Sequence, residues 1–208
     1  MKIVPTVLTD NIEIFKSQMK TIEKFSDEVD IDVMDGTLFG TNQTPLLRDM
    51  LLVDSPLVRH LHLMIKEPAD AIKLALDNGI RSVVVHAEAD LEWLNFDEIP
   101  IDIGIAIAPQ TPVMVIEAHL KTLSSVQIMT VDPGAQGRVF LQDQLKKIPE
   151  LRAMGFAGEI KVDGGVSEET IQDVEKAGAD VVYVGSAIWK SENPEETYKT
   201  LQEITQNN

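Results

Sequence analysis

The chain has 208 residues, 44% of them hydrophobic, enough to build a full core in one domain spanning residues 1–208. Lys and Arg number 18 against 34 Asp and Glu, a formal charge of −16, so the far field repels nucleic acid and anionic membranes and any anionic ligand must be held locally. With no cysteine, no apolar run long enough to cross a bilayer and no leader-like opening in "MKIVPTVLTDN", a cytoplasmic protein without nucleic-acid or membrane partners is expected.

The first β-branched run, "KIVPTVL" at 2–8, precedes a helical pattern in which Ile12, Phe15, Met19, Ile22 and Phe25 recur three or four apart. The second strand, "EVDIDVM" at 28–34, puts Val29, Ile31 and Val33 on one face and Asp30, Asp32 and Met34 on the other. Both faces look buried, and buried carboxylates side by side repel and resist ionisation, so the two aspartates need a reason to be there. Six more runs follow: "VRHLHLMI" at 58–65, "SVVVHA" at 82–87, "DIGIAI" at 102–107, "VQIMTV" at 126–131, "EIKVDG" at 159–164 and "VVYVGS" at 181–186. The stretch 88–100 reads as a weak or irregular helical unit, and His119 falls in an outer helix where solvation explains it. Ile171, Val174 and Ala177 keep helical spacing between Ser167 as N-cap and Gly178 as stop; the last helix has Asn193 as cap and Pro194 in its first turn. Strand then helix, eight times over, implies parallel pairing and closure into a (β/α)8 TIM barrel, with an open doubly wound sheet as the alternative.

In such a barrel the polar residues at the C-terminal strand ends build the active site. Asp32, His62, His86 and Asp163 end strands two, three, four and seven, and carboxylates with an imidazole on one mouth suit a divalent metal. The last two strands end in "VDGGV" and "VGSAIW", which makes Gly164, Gly165, Gly185 and Ser186 candidate phosphate binders, with "DPGAQG" at 132–137 as a loop that closes over the same ligand.

At "DVMDG", "HLMI", "VHAEA", "TVDPG" and "VDGGV…GSAI", in that order, the chain resembles the ribulose-phosphate 3-epimerase family from residue 5 to about residue 189. The resemblance implies a barrel that binds one divalent ion (Zn, Mn, Fe or Mg) and a small sugar phosphate, forms a homo-oligomer (dimer or hexamer) and serves the pentose phosphate pathway. It implies Asp32 and Asp163 as acid/base carboxylates and metal ligands, with His62 as a further ligand. Phosphate would sit on Gly164, Gly165, Gly185 and Ser186, while the loop from Gly134 to Gly137 folds over the sugar. Thr9 stands at the family's serine in "LSxD", His86 approaches the sugar, and Met34, Met64 and Met129 line the reaction centre. Inverting C3 needs two opposed bases, because a single base returns the proton to the face it came from, and a Lewis acid makes the α proton removable.

Several positions depart from the family pattern. Asp30 occupies the place of a metal-binding histidine on strand two, and His60 the place of an aspartate on strand three. The exchange lies in one layer, so Asp30 and His60 are expected to take over jointly the missing ligand; the alternative is a lost metal site with the two as a buried ion pair. The loops "LFGTN" at 38–42 and "GAQGR" at 134–138 also differ. The leading expectation is a metal-dependent epimerase interconverting ribulose 5-phosphate and xylulose 5-phosphate. The alternatives are an epimerase of a six-carbon ketose phosphate such as allulose 6-phosphate, and a non-catalytic sugar-phosphate-binding barrel.

Overall fold

A sheet covered on both sides must bury both of its faces, and the period-two alternation along each strand sorts side chains between them. In the computed structural model, which describes residues 1–40, 43–91, 100–135 and 137–206, this happens around a closed ring. The strands are β1 (Lys2–Val7), β2 (Glu28–Met34), β3 (Val58–Met64), β4 (Ser82–His86), β5 (Asp102–Ile107), β6 (Ser125–Met129), β7 (Glu159–Asp163) and β8 (Val181–Val184). They pair in sequence order, all parallel, and β8 returns to β1, so the (β/α)8 barrel is closed and has no edge.

On β2 the residues Val29, Ile31 and Val33 point outward and pack with Phe15, Met19 and Ile22 of α1 (Ile12–Ile22) in the main apolar layer. Each such fully buried side chain stabilises the fold by about 1.5–3 kcal/mol. Inside the ring the apolar share is small: Val4, Val181 and Tyr183 form one cluster and Val84, Ala106 and Met129 another. The remaining interior is polar and buried, with Thr6, Asp30, Asp32, His62, Gln127, Lys161 and Asp163. At the floor of the barrel Glu28 accepts from Lys2 at 2.5 Å and meets His60 Nε2 at 2.8 Å.

The outer helices follow α1 as α2 (Leu47–Leu51), α3 (Ala69–Asp77), α4 (Lys147–Ala153), α5 (Ile171–Ala177), α6 (Ser186–Trp189) and α7 (Pro194–Gln206). Asn11 caps α1, its side-chain oxygen accepting the N–H groups of Glu13 and Ile14 at 2.8 and 3.2 Å. Helix α5 starts later than the Ser167 cap implies: Thr170 takes the N-cap position, and the Ser167 carbonyl instead accepts from Thr170 and Ile171 in a preceding turn. It ends as expected on a left-handed Gly178, and Asn193 caps α7 through the Glu196 N–H. After β5 the connection is a 3₁₀ helix, Val113–His119, begun by Pro112 and ending on an exposed His119. Most of the weak unit expected at 88–100 lies outside the described residues, which resume at Pro100. No helix among the described residues is long and apolar enough to cross a membrane.

Gly104 allows β5 and β6 to approach inside the ring, where a Cβ would collide with the Ser125 hydroxyl and lie 3.0 Å from its carbonyl oxygen and 3.2 Å from Val84 Cγ2. Gly104→Ala is therefore expected to cost about 1–3 kcal/mol of stability by overpacking. Denaturant unfolding of the variant checks this, and wild-type stability would show that the interior yields without cost.

Candidate active site

Parallel pairing brings the strand ends to one rim, so residues far apart in sequence meet there. Asp32 and His62 are register partners on β2 and β3. His62 is fully buried, and its Nδ1 lies 2.8 Å from Asp32 Oδ1 and 3.5 Å from Asp163 Oδ2 of β7. Asp163 Oδ2 also accepts from Gln127 Nε2 at 3.2 Å. One layer below, Asp30 Oδ2 accepts the Thr6 hydroxyl at 2.8 Å, while Asp30 Oδ1 is buried with no partner.

Three buried carboxylates therefore share one small volume. Burial, then the charge of Asp32, pushes Asp30 up to about 7. Burial raises Asp32 too, and burial together with Asp32 carries Asp163 well above the ordinary carboxylate range. The ring is short of positive charge at this point. Asp30, Asp32 and His62 each offer a donor atom within 4.8 Å of the others, a group able to hold a cation. Lys161, inside the barrel below, lowers Asp30 only as a minor contribution and turns toward Glu159, at 3.5 Å, and the Tyr183 ring.

Above the carboxylates opens a recess. Asp32, Asp163, Met64, Met129, Thr6 and Tyr183 line its deep side. Gly134, Gly137, Gly164, Gly165, Gly185 and Ser186 line its outer side. Gly164 and Gly165 both hold positive φ (113° and 69°), and a Cβ on Gly165 would sit 3.0 Å from the Phe140 backbone, so side chains are excluded from this corner and the backbone is left facing the recess.

The structure thus gathers most of the residues singled out from the sequence. His60 is not among them: it pairs with Asp30 in register, yet its side chain turns to Glu28 at the floor, and it contributes no donor to the Asp30–Asp32–His62 group. Asp30 and His60 make no ion pair with each other, since their side-chain partners are Thr6 and Glu28. Thr9 lies at the β1 exit, where its hydroxyl accepts the Asn11 N–H, and Thr6 and Leu8 line the recess instead. Met34 is buried beside Met64 and stays out of the recess lining. His86 is also outside it, fully buried behind His62 with Nε2 against Nε2 at 2.8 Å. Sequence reasoning passed over Thr6, Gln127 and Glu88. The first two share the inward phase of Asp30 and Asp163, a signal that the strand alternation already carried.

Carboxylates facing one another across a barrel mouth can take and give protons on opposite sides of a bound carbon, which places the protein among the (β/α)8 barrel isomerases. The chain belongs to the ribulose-phosphate 3 epimerase family, which matches residues 2–189. Ribulose-phosphate 3-epimerase of Bacillus subtilis (strain 168) is 35% identical over 203 residues, covering 91% of this chain and 92% of its own. Ribulose-5-phosphate-3-epimerase, chloroplastic, of Arabidopsis thaliana is 33% identical over 211 residues, covering 95% and 75%. Among solved structures the fold is shared with 3-keto-L-gulonate-6-phosphate decarboxylase from Vibrio cholerae, with a TM-score of 0.72 at 16% identity over 99% of this chain and 97% of that one.

The raised carboxylates set the pH response of the metal-free protein. Their folded-state values lie above the unfolded ones, so the stability they contribute is complete at low pH and is lost as pH rises through the folded values. His86, which burial lowers to about 4, and His60, lowered by burial as well, work in the opposite sense, but only below about pH 7, above which both are largely neutral folded or unfolded. Between pH 7 and pH 8 the melting temperature of metal-free protein is therefore expected to fall, by roughly 2–4 °C per kcal/mol lost. Added Mn²⁺ should raise it more at pH 8, where protons no longer compete for the carboxylates. A melting temperature that rises with pH over this range would contradict the shared-charge reading.

Proposed function

We propose that the chain is a 3-epimerase of a ketose phosphate, interconverting ribulose 5-phosphate and xylulose 5-phosphate by proton transfer between two carboxylates. The observation that carries this is one recess with Asp32 and Asp163 at its deep end and a glycine-rich backbone corner at its outer end. A ketose phosphate extends between them with its anionic end on Gly164, Gly165, Gly185 and Ser186 and C3 at the carboxylates, while Gly134, Ala135 and Gly137 cover the sugar. Asp163 removes the C3 proton from one side and Asp32 returns one from the other; the reverse reaction exchanges the roles. Burial supports this work, because a carboxylate pushed up toward neutrality is a stronger base than one in water. Met64 and Met129 exclude water from the carbon that carries charge.

The donor set suits a divalent cation. The buried, unpartnered Asp30 Oδ1 and three carboxylates whose ionisation burial opposes are what a site built around positive charge looks like without it. Asp32, His62 and Asp163 would hold the ion, with Asp30 in the place of the family's histidine, and when bound the ion supplies Lewis-acid stabilisation of the charge that proton removal creates. With three carboxylates to one imidazole the set is hard, and Mn²⁺ or Mg²⁺ suits it better than a two-histidine set would.

Asp163→Asn and Asp32→Asn are each expected to lower kcat by about 10²–10⁴-fold, because each removes one side of the transfer. In D₂O the wild type should place deuterium at the inverted carbon. Assays on ribulose 5-phosphate and allulose 6-phosphate in parallel decide the sugar. Near-full turnover in either variant would remove the two-base assignment. Ser186→Asp, with negative charge at the backbone corner, is expected to raise KM by at least about tenfold while kcat changes less. An unchanged KM would move the phosphate elsewhere.

A further inference from the structure

His86 and Glu88 lie behind the carboxylate centre, and the proton-transfer scheme leaves them without a task. β4 ends at His86, whose Nε2 is 2.8 Å from His62 Nε2 and whose Nδ1 is 3.0 Å from Glu88 Oε2. The other oxygen, Glu88 Oε1, accepts the Ala108 backbone N–H at 3.0 Å and the Thr111 hydroxyl. Phe39 closes the outer side of His86 edge-on, with ring centroids 4.6 Å apart.

For neutral imidazole rings the donors and acceptors along this chain match in one way. Burial works against the Glu88 charge, but the bonds from His86 and Thr111 outweigh it and hold the carboxyl down at about 2, so Glu88 is an acceptor at both oxygens. His86 therefore carries its proton on Nδ1. Its Nε2 offers a lone pair, and the 2.8 Å contact then requires His62 to carry a proton on Nε2. The nitrogen left to His62 for other work is Nδ1, which faces Asp32 and Asp163. We propose that Glu88 and His86 are positioning residues that fix the tautomer and ring orientation of His62, so that Nδ1 is the atom presented to a divalent cation shared with the carboxylates. The inference rests on the metal reading of the site given above. Outer partners of this kind hold a ligating ring in place and typically change metal affinity or activity by about 10- to 100-fold.

Glu88→Gln tests the chain with almost no change of shape. The Ala108 N–H can only donate, so the glutamine carbonyl stays on it and the amide NH₂ turns to His86. A donor then faces Nδ1, the His86 proton moves to Nε2, and His62 must accept there and carry its own proton on Nδ1, where it obstructs the cation. Titration of metal-free protein with Mn²⁺, followed by the loss of the free-ion electron-spin signal, is expected to show binding about 10- to 100-fold weaker in Glu88→Gln than in wild type. Nitrogen-15 NMR of the metal-free imidazole rings should find the His86 proton on Nδ1 in wild type and on Nε2 in the variant. Equal Mn²⁺ affinity in the two proteins, or a wild-type His86 protonated on Nε2, overturns the proposal. The ring spectrum of the wild type decides it even if the variant fails to fold. A wild type that binds no Mn²⁺ overturns the metal centre proposed above, and the His86 tautomer still decides this inference.

Discussion

The structure is organised around the mutual repulsion of Asp30, Asp32 and Asp163, three carboxylates buried together in a chain that is already strongly acidic. Each resists ionisation because water has been removed, and each raises the cost of ionising its neighbours. The surrounding groups answer this constraint in turn: the Thr6 hydroxyl on Asp30, His62 between Asp32 and Asp163, and the Gln127 amide on Asp163. Asp30 Oδ1 is left without a partner. A cluster of this kind is costly to stability, and strongly shifted groups gathered in one recess are what a functional site concentrates.

The barrel separates that cluster from the cohesion of the fold. Outward-facing Val, Ile and Leu pack against the helices and supply most of the apolar burial, so the inner face of the ring is released from that duty. At the floor, Glu28 gathers Lys2 and His60, which keeps the ammonium and the carboxylate paired at the end of the barrel opposite the rim. At the rim, Gly164 and Gly165 hold positive φ and leave a corner of backbone rather than side chains facing the recess. The same architecture at 16% identity carries a decarboxylase, so the fold alone does not choose the reaction.

All eight strands could be read from the alternation of β-branched and polar residues, because each strand is short and bounded by turn or cap chemistry that acts locally. The same local signals placed Gly178 and Asn193 correctly. They misplaced the start of α5, where Ser167 and Thr170 both offer a hydroxyl: that of Ser167 accepts from the Glu169 N–H and that of Thr170 from the Ser167 N–H, which makes a turn before the helix begins. The carboxylates, the histidine at the end of β3 and the glycine corner were legible as well, since a parallel barrel sends every strand end to one rim.

The path of side chains across the ring was not legible. The register of β2 with β3 makes Asp30 and His60 partners, and sequence alone offers no reason for one to stay in the ring's centre while the other turns to Glu28. The chain from His62 through His86 and Glu88 to Ala108 and Thr111 joins β3 and β4 with the connections that follow β4 and β5, and apart from the His86–Glu88 contact each of its links runs between distant segments. By itself the sequence determined which residues face inward and at which end of the barrel they lie, because strand period and parallel order are properties of the chain. Only the tertiary structure decided which inward groups touch, because closing the ring sets distances between strands that no spacing along the chain records.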